Sequence, residues 1–137
     1  MPRIPEGFNR IERLSPFNAM LGPLYERRDG DAVSIGLMIE DKHTNSRGIC
    51  HGGALATLAD LALGYAMLAK SGDSGSFLTA HLSVDYAGAA KVGDWIESKV
   101  EIQRVGARMA FANCYLMVDN RPIVRASAIF ARGDKSA

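Results

Sequence analysis

The chain predicts an α+β fold in which one long helix lies in a curved antiparallel sheet. Three observations predict it. From Ala54 to Ala69 nearly every residue is apolar or small, as in a helix held inside a core. Behind it come four candidate strands of about ten residues each, long for a small domain, which suggests a sheet curving around that helix. The 137 residues, 47% hydrophobic and 23% charged, make an ordinary globular composition. They suffice for one domain, 1–137, with a substantial core and neither disulfide nor metal.

In chain order, residues 3–20 read as a short amphipathic opening of one or two helical turns. Ile4, Phe8, Ile11, Leu14 and Phe17 stand near helical spacing. Residues 24–28 and 32–39 are strand candidates joined at Asp29-Gly30-Asp31, where Asp-Gly suits a tight hairpin. A polar loop over 41–48 precedes the helix, expected from about 53 to 70, and glycine-rich 71–75 ends it. Residues 77–86 alternate. Ala80, Leu82, Val84 and Tyr86 fall on one face, and Thr79, His81, Ser83 and Asp85 on the other. A turn at 91–94 leads to a strand over 95–105. Gly106 turns into 107–118, and Asp119-Asn120 turns tightly into 122–132. No repeat, low-complexity tract or internal linker interrupts this order.

Composition also excludes. A net charge of +1 with no run of Lys and Arg argues against a nucleic-acid binder. Cys50 and Cys114, without CxxC spacing, fit a reduced cytosolic protein. The opening residues have neither the basic start nor the apolar stretch of a signal peptide. The apolar helix is broken by Thr57, Asp60 and Gly64 and falls short of the ~20 residues of a membrane span. The expectation is a soluble cytoplasmic protein that engages neither membrane nor nucleic acid.

The chemistry concentrates between Asn45 and Asp60, NSRGICHGGALATLAD. Gly52-Gly53 stands where the helix begins. Glycine lets a ligand approach the backbone, and the first N–H groups of a helix are unpaired and carry the positive end of its dipole. A carbonyl there would be polarised and an oxyanion stabilised; equally, the glycines could only form a tight corner. Asp60 lies among apolar neighbours, where a carboxylate must be paired or useful, so it is either a structural acid or a base or nucleophile. Asn45 could orient a carbonyl or water, or bond its own loop. His51 could hold the loop or contact substrate. His43 and His51 have no metal-site spacing, so zinc is not expected. Thr79, His81, Ser83 and Asp85 do not form a triad. Same-face neighbours on a strand stand roughly 7 Å apart, whereas a nucleophile and its base need contact near 3 Å. The row reads as a polar or interface face.

Asn45, the His51-Gly52-Gly53 corner and Asp60, followed by a long-stranded antiparallel half, resemble the hotdog-fold acyl-CoA thioesterases of the phenylacetic-acid-degradation (PaaI-like) type. The resemblance runs from about residue 17 to 132. It implies a hotdog fold that dimerises through a continuous sheet and assembles further to a homotetramer. It also implies hydrolysis of acyl- or aryl-CoA to free acid and CoA, without metal or organic cofactor. Position by position, Asn45 matches the residue holding thioester or water, and Gly52 the N–H that polarises the carbonyl. Asp60 matches the catalytic carboxylate, and Thr79 the hydroxyl that assists the attacking water. The turn 104–108 resembles the one that lies near the CoA phosphates in relatives, so Arg108 is either a phosphate contact or a solvated turn arginine. Hotdog dehydratases pair a His with a helical acid in a different local pattern. A noncatalytic acyl-CoA sensor is the alternative from another class; such modules usually carry a DNA-binding segment, and the residues before Asp41 read largely as strands.

Overall fold

The computed structural model describes residues 3–72 and 76–133. Seven strands occur in chain order: β1 (Asn9–Arg10), β2 (Tyr25–Asp29), β3 (Ala32–Met38), β4 (Ser76–Tyr86), β5 (Trp95–Val105), β6 (Met109–Val118) and β7 (Arg121–Gly133). Helix α1 (Pro16–Leu21) precedes β2, and α2 (Gly52–Lys70) separates β3 from β4. One antiparallel sheet holds all seven strands in the order β1-β2-β3-β5-β6-β7-β4. This is the hotdog arrangement, a long helix against a curved sheet.

Local chemistry explains the tightest connections. Asp29 pairs with Ala32 across a two-residue loop in which Gly30 takes φ +65°. Val118 pairs with Arg121 across Asp119 and Asn120, both at positive φ (50° and 60°). That is the backbone a right-twisted hairpin needs, and Asn and Asp tolerate it best after glycine.

The core forms between α2 and one face of the sheet. Leu55, Leu58, Ala59, Ala62, Leu63, Ala66 and Met67 are the buried residues of the helix. Against them lie Ala110, Ala112, Cys114 and Leu116 of β6 and Val124, Ala126, Ala128 and Phe130 of β7. Alanines facing alanines let the helix lie close over the sheet centre. On the opposite sheet face Trp95 lies across Gly36, where any Cβ would overlap the indole. Phe8 and Tyr25 pack edge-on against that ring at 5.1 and 5.7 Å between centroids.

Four expectations need correction. The opening has its one or two helical turns at Pro16–Leu21 alone, whereas Phe8 and Ile11, read at helical spacing, are buried beside the short strand β1. Phe17 is exposed, since α1 has no buried residue. Helix α2 is not buried all round; Asp60 is half-buried, outside the set of residues that the helix packs into the core. By length and composition α2 could cross a membrane, so packing of one of its faces on the sheet describes it better than length does. Finally, β4 does not alternate throughout. Thr79 pairs with Phe130 and His81 with Ile129, which leaves Ala80 as a bulge. The bulge reverses the facing of every residue before it. Of the glycine-rich link, residues 73–75 lie outside the described residues.

Candidate active site

The loop before α2 is held by its own backbone. Asn45 Oδ1 accepts from the N–H groups of Arg47 (2.8 Å) and Ile49 (3.4 Å), and the Asn45 N–H donates to Ile49 O at 2.8 Å. The Asn45 side chain therefore shapes the turn, with its Nδ2 unengaged among the described residues. His43, only 3% exposed, is fixed as one tautomer: Nδ1 accepts the Glu40 N–H at 2.9 Å, so Nε2 carries the proton donated to Leu21 O at 2.6 Å. His43 O in turn accepts the His51 N–H at 2.7 Å.

His51 caps α2. Its backbone is extended, and its Nδ1 accepts the Gly53 N–H at 2.8 Å, as an N-cap side chain does. A Cβ on Gly53 would stand 3.0 Å from that nitrogen, which explains glycine there. His51 O takes the N–H groups of Ala54 and Leu55. The Gly52 N–H is thus left without an acceptor among the described residues, at the positive end of a 19-residue helix. Gly52 O accepts the Tyr86 phenol at 2.7 Å, which fixes the peptide on the other side of that residue.

Two turns further on, the bulge in β4 has its effect. Thr79 faces the helix, and its hydroxyl donates to Asp60 Oδ1 at 2.8 Å. The carboxylate is oriented through one oxygen, and the other has no partner among the described residues. The row containing Thr79 is therefore divided. His81, Ser83 and Asp85 remain on the far face, where Ser83 bonds Ser127 (2.8 Å) and Asp85 pairs with Arg125 (3.0 Å).

Within one chain the structure brings Thr79 to Asp60, His51 to Gly53 and Tyr86 to Gly52. It brings neither Asn45 nor Arg108 to Asp60. Arg108 lies in the β5–β6 turn, where its O accepts the Arg132 N–H at 2.8 Å; its guanidinium bonds no described residue. The β6–β7–β4 register puts it at the Phe77 end of β4, roughly 12 Å from Thr79 by strand spacing and rise. Alternation in the sequence sets Tyr86 on the strand face opposite the polar row but gives it no role. The contact joins residues 34 apart, and nothing local signals it. Neither cysteine offers a nucleophile: burial pushes the Cys50 thiol up to about 11 and the Cys114 thiol to about 12, and the thiolate is the reactive form. Among the described residues no three His, Cys, Asp or Glu side chains converge to hold a metal ion.

An unpaired N–H at a helix start and a hydroxyl-held carboxylate on the same helix are groups for polarising a carbonyl and delivering a base or nucleophile. Comparison with known proteins agrees with that chemistry. Residues 47–123 match the model of the thioesterase superfamily. The Pseudomonas aeruginosa protein PA0474, which carries an esterase name, is 40% identical over 131 residues, covering 95% of this chain and 98% of its own. Acyl-coenzyme A thioesterase 13 of Mus musculus is 32% identical over 78 residues, 56% of this chain and 54% of its own. The Escherichia coli PaaI protein of the phenylacetic acid degradation operon superposes with a TM-score of 0.77 at 16% identity, over 86% of this chain and 83% of that one. The chain belongs to the thioesterase superfamily, as a hotdog-fold thioester hydrolase.

Proposed function

We propose that the protein hydrolyses the thioester of an acyl- or aryl-CoA. Water adds to the acyl carbon, the C–S bond breaks, and the products are a carboxylic acid and CoA thiol. The Asp60–Thr79 hydrogen bond carries this reading. It holds one carboxylate oxygen and leaves the other to take a proton from water or to attack the carbonyl carbon itself. The Gly52 N–H, helped by the α2 dipole, receives the charge that builds on the carbonyl oxygen. Tyr86 holds the peptide beyond that N–H in place. His51 acts through the corner it caps, Asn45 through its loop or its free amide, and Arg108 meets the CoA phosphates. No resident cofactor enters the reaction.

The active unit in this reading is a homodimer, with a homotetramer as its further assembly. Thiol release measured over a panel of acyl-CoA thioesters tests the function. Stoichiometric CoA thiol with the matching acid is expected. Tight acyl-CoA binding without thiol release would favour the sensor instead. Single turnover in 18O-labelled water that leaves label in Asp60 identifies an attacking carboxylate whose anhydride is hydrolysed at Asp60, because general-base catalysis sends the label to the product acid alone.

A further inference from the structure

Helix α1 presents two large apolar side chains to the open: Phe17 is 62% exposed and Met20 73%. They stand three residues apart on one face of the helix. Both line a cleft of about 260 Å3 whose other wall is Leu21 with Gly53, Ala54 and Thr57 of the first turns of α2. Gly53 adjoins Gly52, whose N–H is the proposed oxyanion donor. The cleft thus lies beside the proposed oxyanion donor.

Its polar side chains are each held by a backbone partner. His43 spends both ring nitrogens on Glu40 and Leu21, the Lys42 ammonium donates to Gly22 O, and the Thr57 hydroxyl donates to Gly53 O at 2.9 Å. The first two also fasten the C-terminal end of α1 to the loop before α2, so the wall is preformed. What the wall of α1 and the first turns of α2 offer an incoming group is apolar contact, with the Lys42 ammonium the one charged group in the lining.

We infer that this cleft receives the acyl end of the thioester, and that Phe17 and Met20 determine which acyl groups are accepted. The inference rests on the thioesterase reading of Gly52 and Asp60. The carbonyl lies at the Gly52 N–H, and the acyl group extends over Gly53 toward α1 of the same chain. A cavity of roughly 150 Å3 already admits benzene. This one therefore takes a phenyl-type ring or a medium-length chain, whereas a long fatty chain overruns it.

The test compares acetyl-, hexanoyl-, phenylacetyl- and palmitoyl-CoA on the full chain, as wild type, Phe17→Ala, Met20→Trp and Met20→Leu. The wild type should favour hexanoyl or phenylacetyl over acetyl. Filling the cleft in Met20→Trp should lower the phenylacetyl-to-acetyl ratio of kcat/KM by about tenfold or more, the scale of apolar pocket discrimination. The change should fall mainly in KM, and Met20→Leu should keep the wild-type order. An active wild type whose substrate ratios move in no variant overturns the cleft while the hydrolase reading stands. Equal loss on all four thioesters with a changed assembly mass also overturns it, by assigning α1 to a subunit contact. A wild type that releases thiol from none of them defeats the hydrolase reading, and this inference with it.

Discussion

At the scale of single residues, one carboxylate oxygen is held and the other is left for chemistry. Asp60→Asn keeps the shape of the side chain and can still accept from the Thr79 hydroxyl, but the amide neither takes a proton from water nor attacks a carbonyl. Turnover should fall by ~10²–10⁴-fold, the usual worth of a positioned general base, with circular dichroism and thioester binding close to wild type. Turnover near wild type in a folded Asp60→Asn protein would remove this residue from the mechanism. Thr79 should show a graded effect. Thr79→Ser preserves the donor, whereas Thr79→Val preserves the volume and deletes it. A hydrogen bond to a charged group is worth ~1.5–3 kcal/mol, so Thr79→Val should cost about ten- to a hundredfold in kcat. Equal kcat in the Ser and Val variants would show that the hydroxyl does not orient the carboxylate.

At the scale of elements, the start of α2 offers an unusually clean substitution. Gly52 is the first helical residue, and proline is favoured there because its missing N–H is one that the helix leaves unpaired anyway. His51 before it is extended, φ −61° and ψ 135°, which is the conformation a residue preceding proline adopts. A Cβ on Gly52 meets the Tyr86 ring only at ordinary contact, 3.4 Å. Gly52→Pro should therefore fold and lose ~10²–10³-fold in rate, the cost of one oxyanion donor, while Gly52→Ala, which retains the N–H, should stay far more active. A folded Gly52→Pro protein at full rate would place carbonyl polarisation elsewhere. The same elements show what could be read without coordinates. The helix, the long strands and the Asp119-Asn120 turn were legible because their signals are local: composition, period and backbone preference. The bulge at Ala80 was not, since it arises from pairing with β7, and so strict alternation put Thr79 on the wrong face. The open side of α2 was equally hidden. Apolar residues all round a helix do not reveal which of them meets the sheet. The motif from Asn45 to Asp60 pointed to the site, but the Tyr86 contact depends on the fold alone.

At the scale of the whole molecule, the proposed reaction predicts a second chain at each site. Gly52 and Asp60 are eight residues apart on α2, so their backbones stand roughly 12 Å apart along the axis. A reacting carbonyl needs both oxyanion donor and attacking group within about 3 Å, and an Asp side chain does not bridge that gap. The sheet suggests how a partner arrives. Strand β4 ends the strand order, is eleven residues long, and contains neither the Pro nor the Lys that natural edge strands use against pairing. Its Leu78 is 68% exposed. Pairing of β4 with the β4 of a second copy about a two-fold axis extends the sheet, hides that edge, and lets Gly52 of one chain face Asp60 of the other in two equivalent sites. Complementation tests this arrangement. Asp60→Asn and Gly52→Pro chains, each inactive alone, are mixed and allowed to exchange subunits, with heterodimers verified by mass. Each heterodimer then has one site with both native groups and one with neither. Random exchange of equal amounts should restore about a quarter of the wild-type rate. Complete exchange without any recovery would mean that each site is built within one chain, and the geometric argument for a shared site would fail.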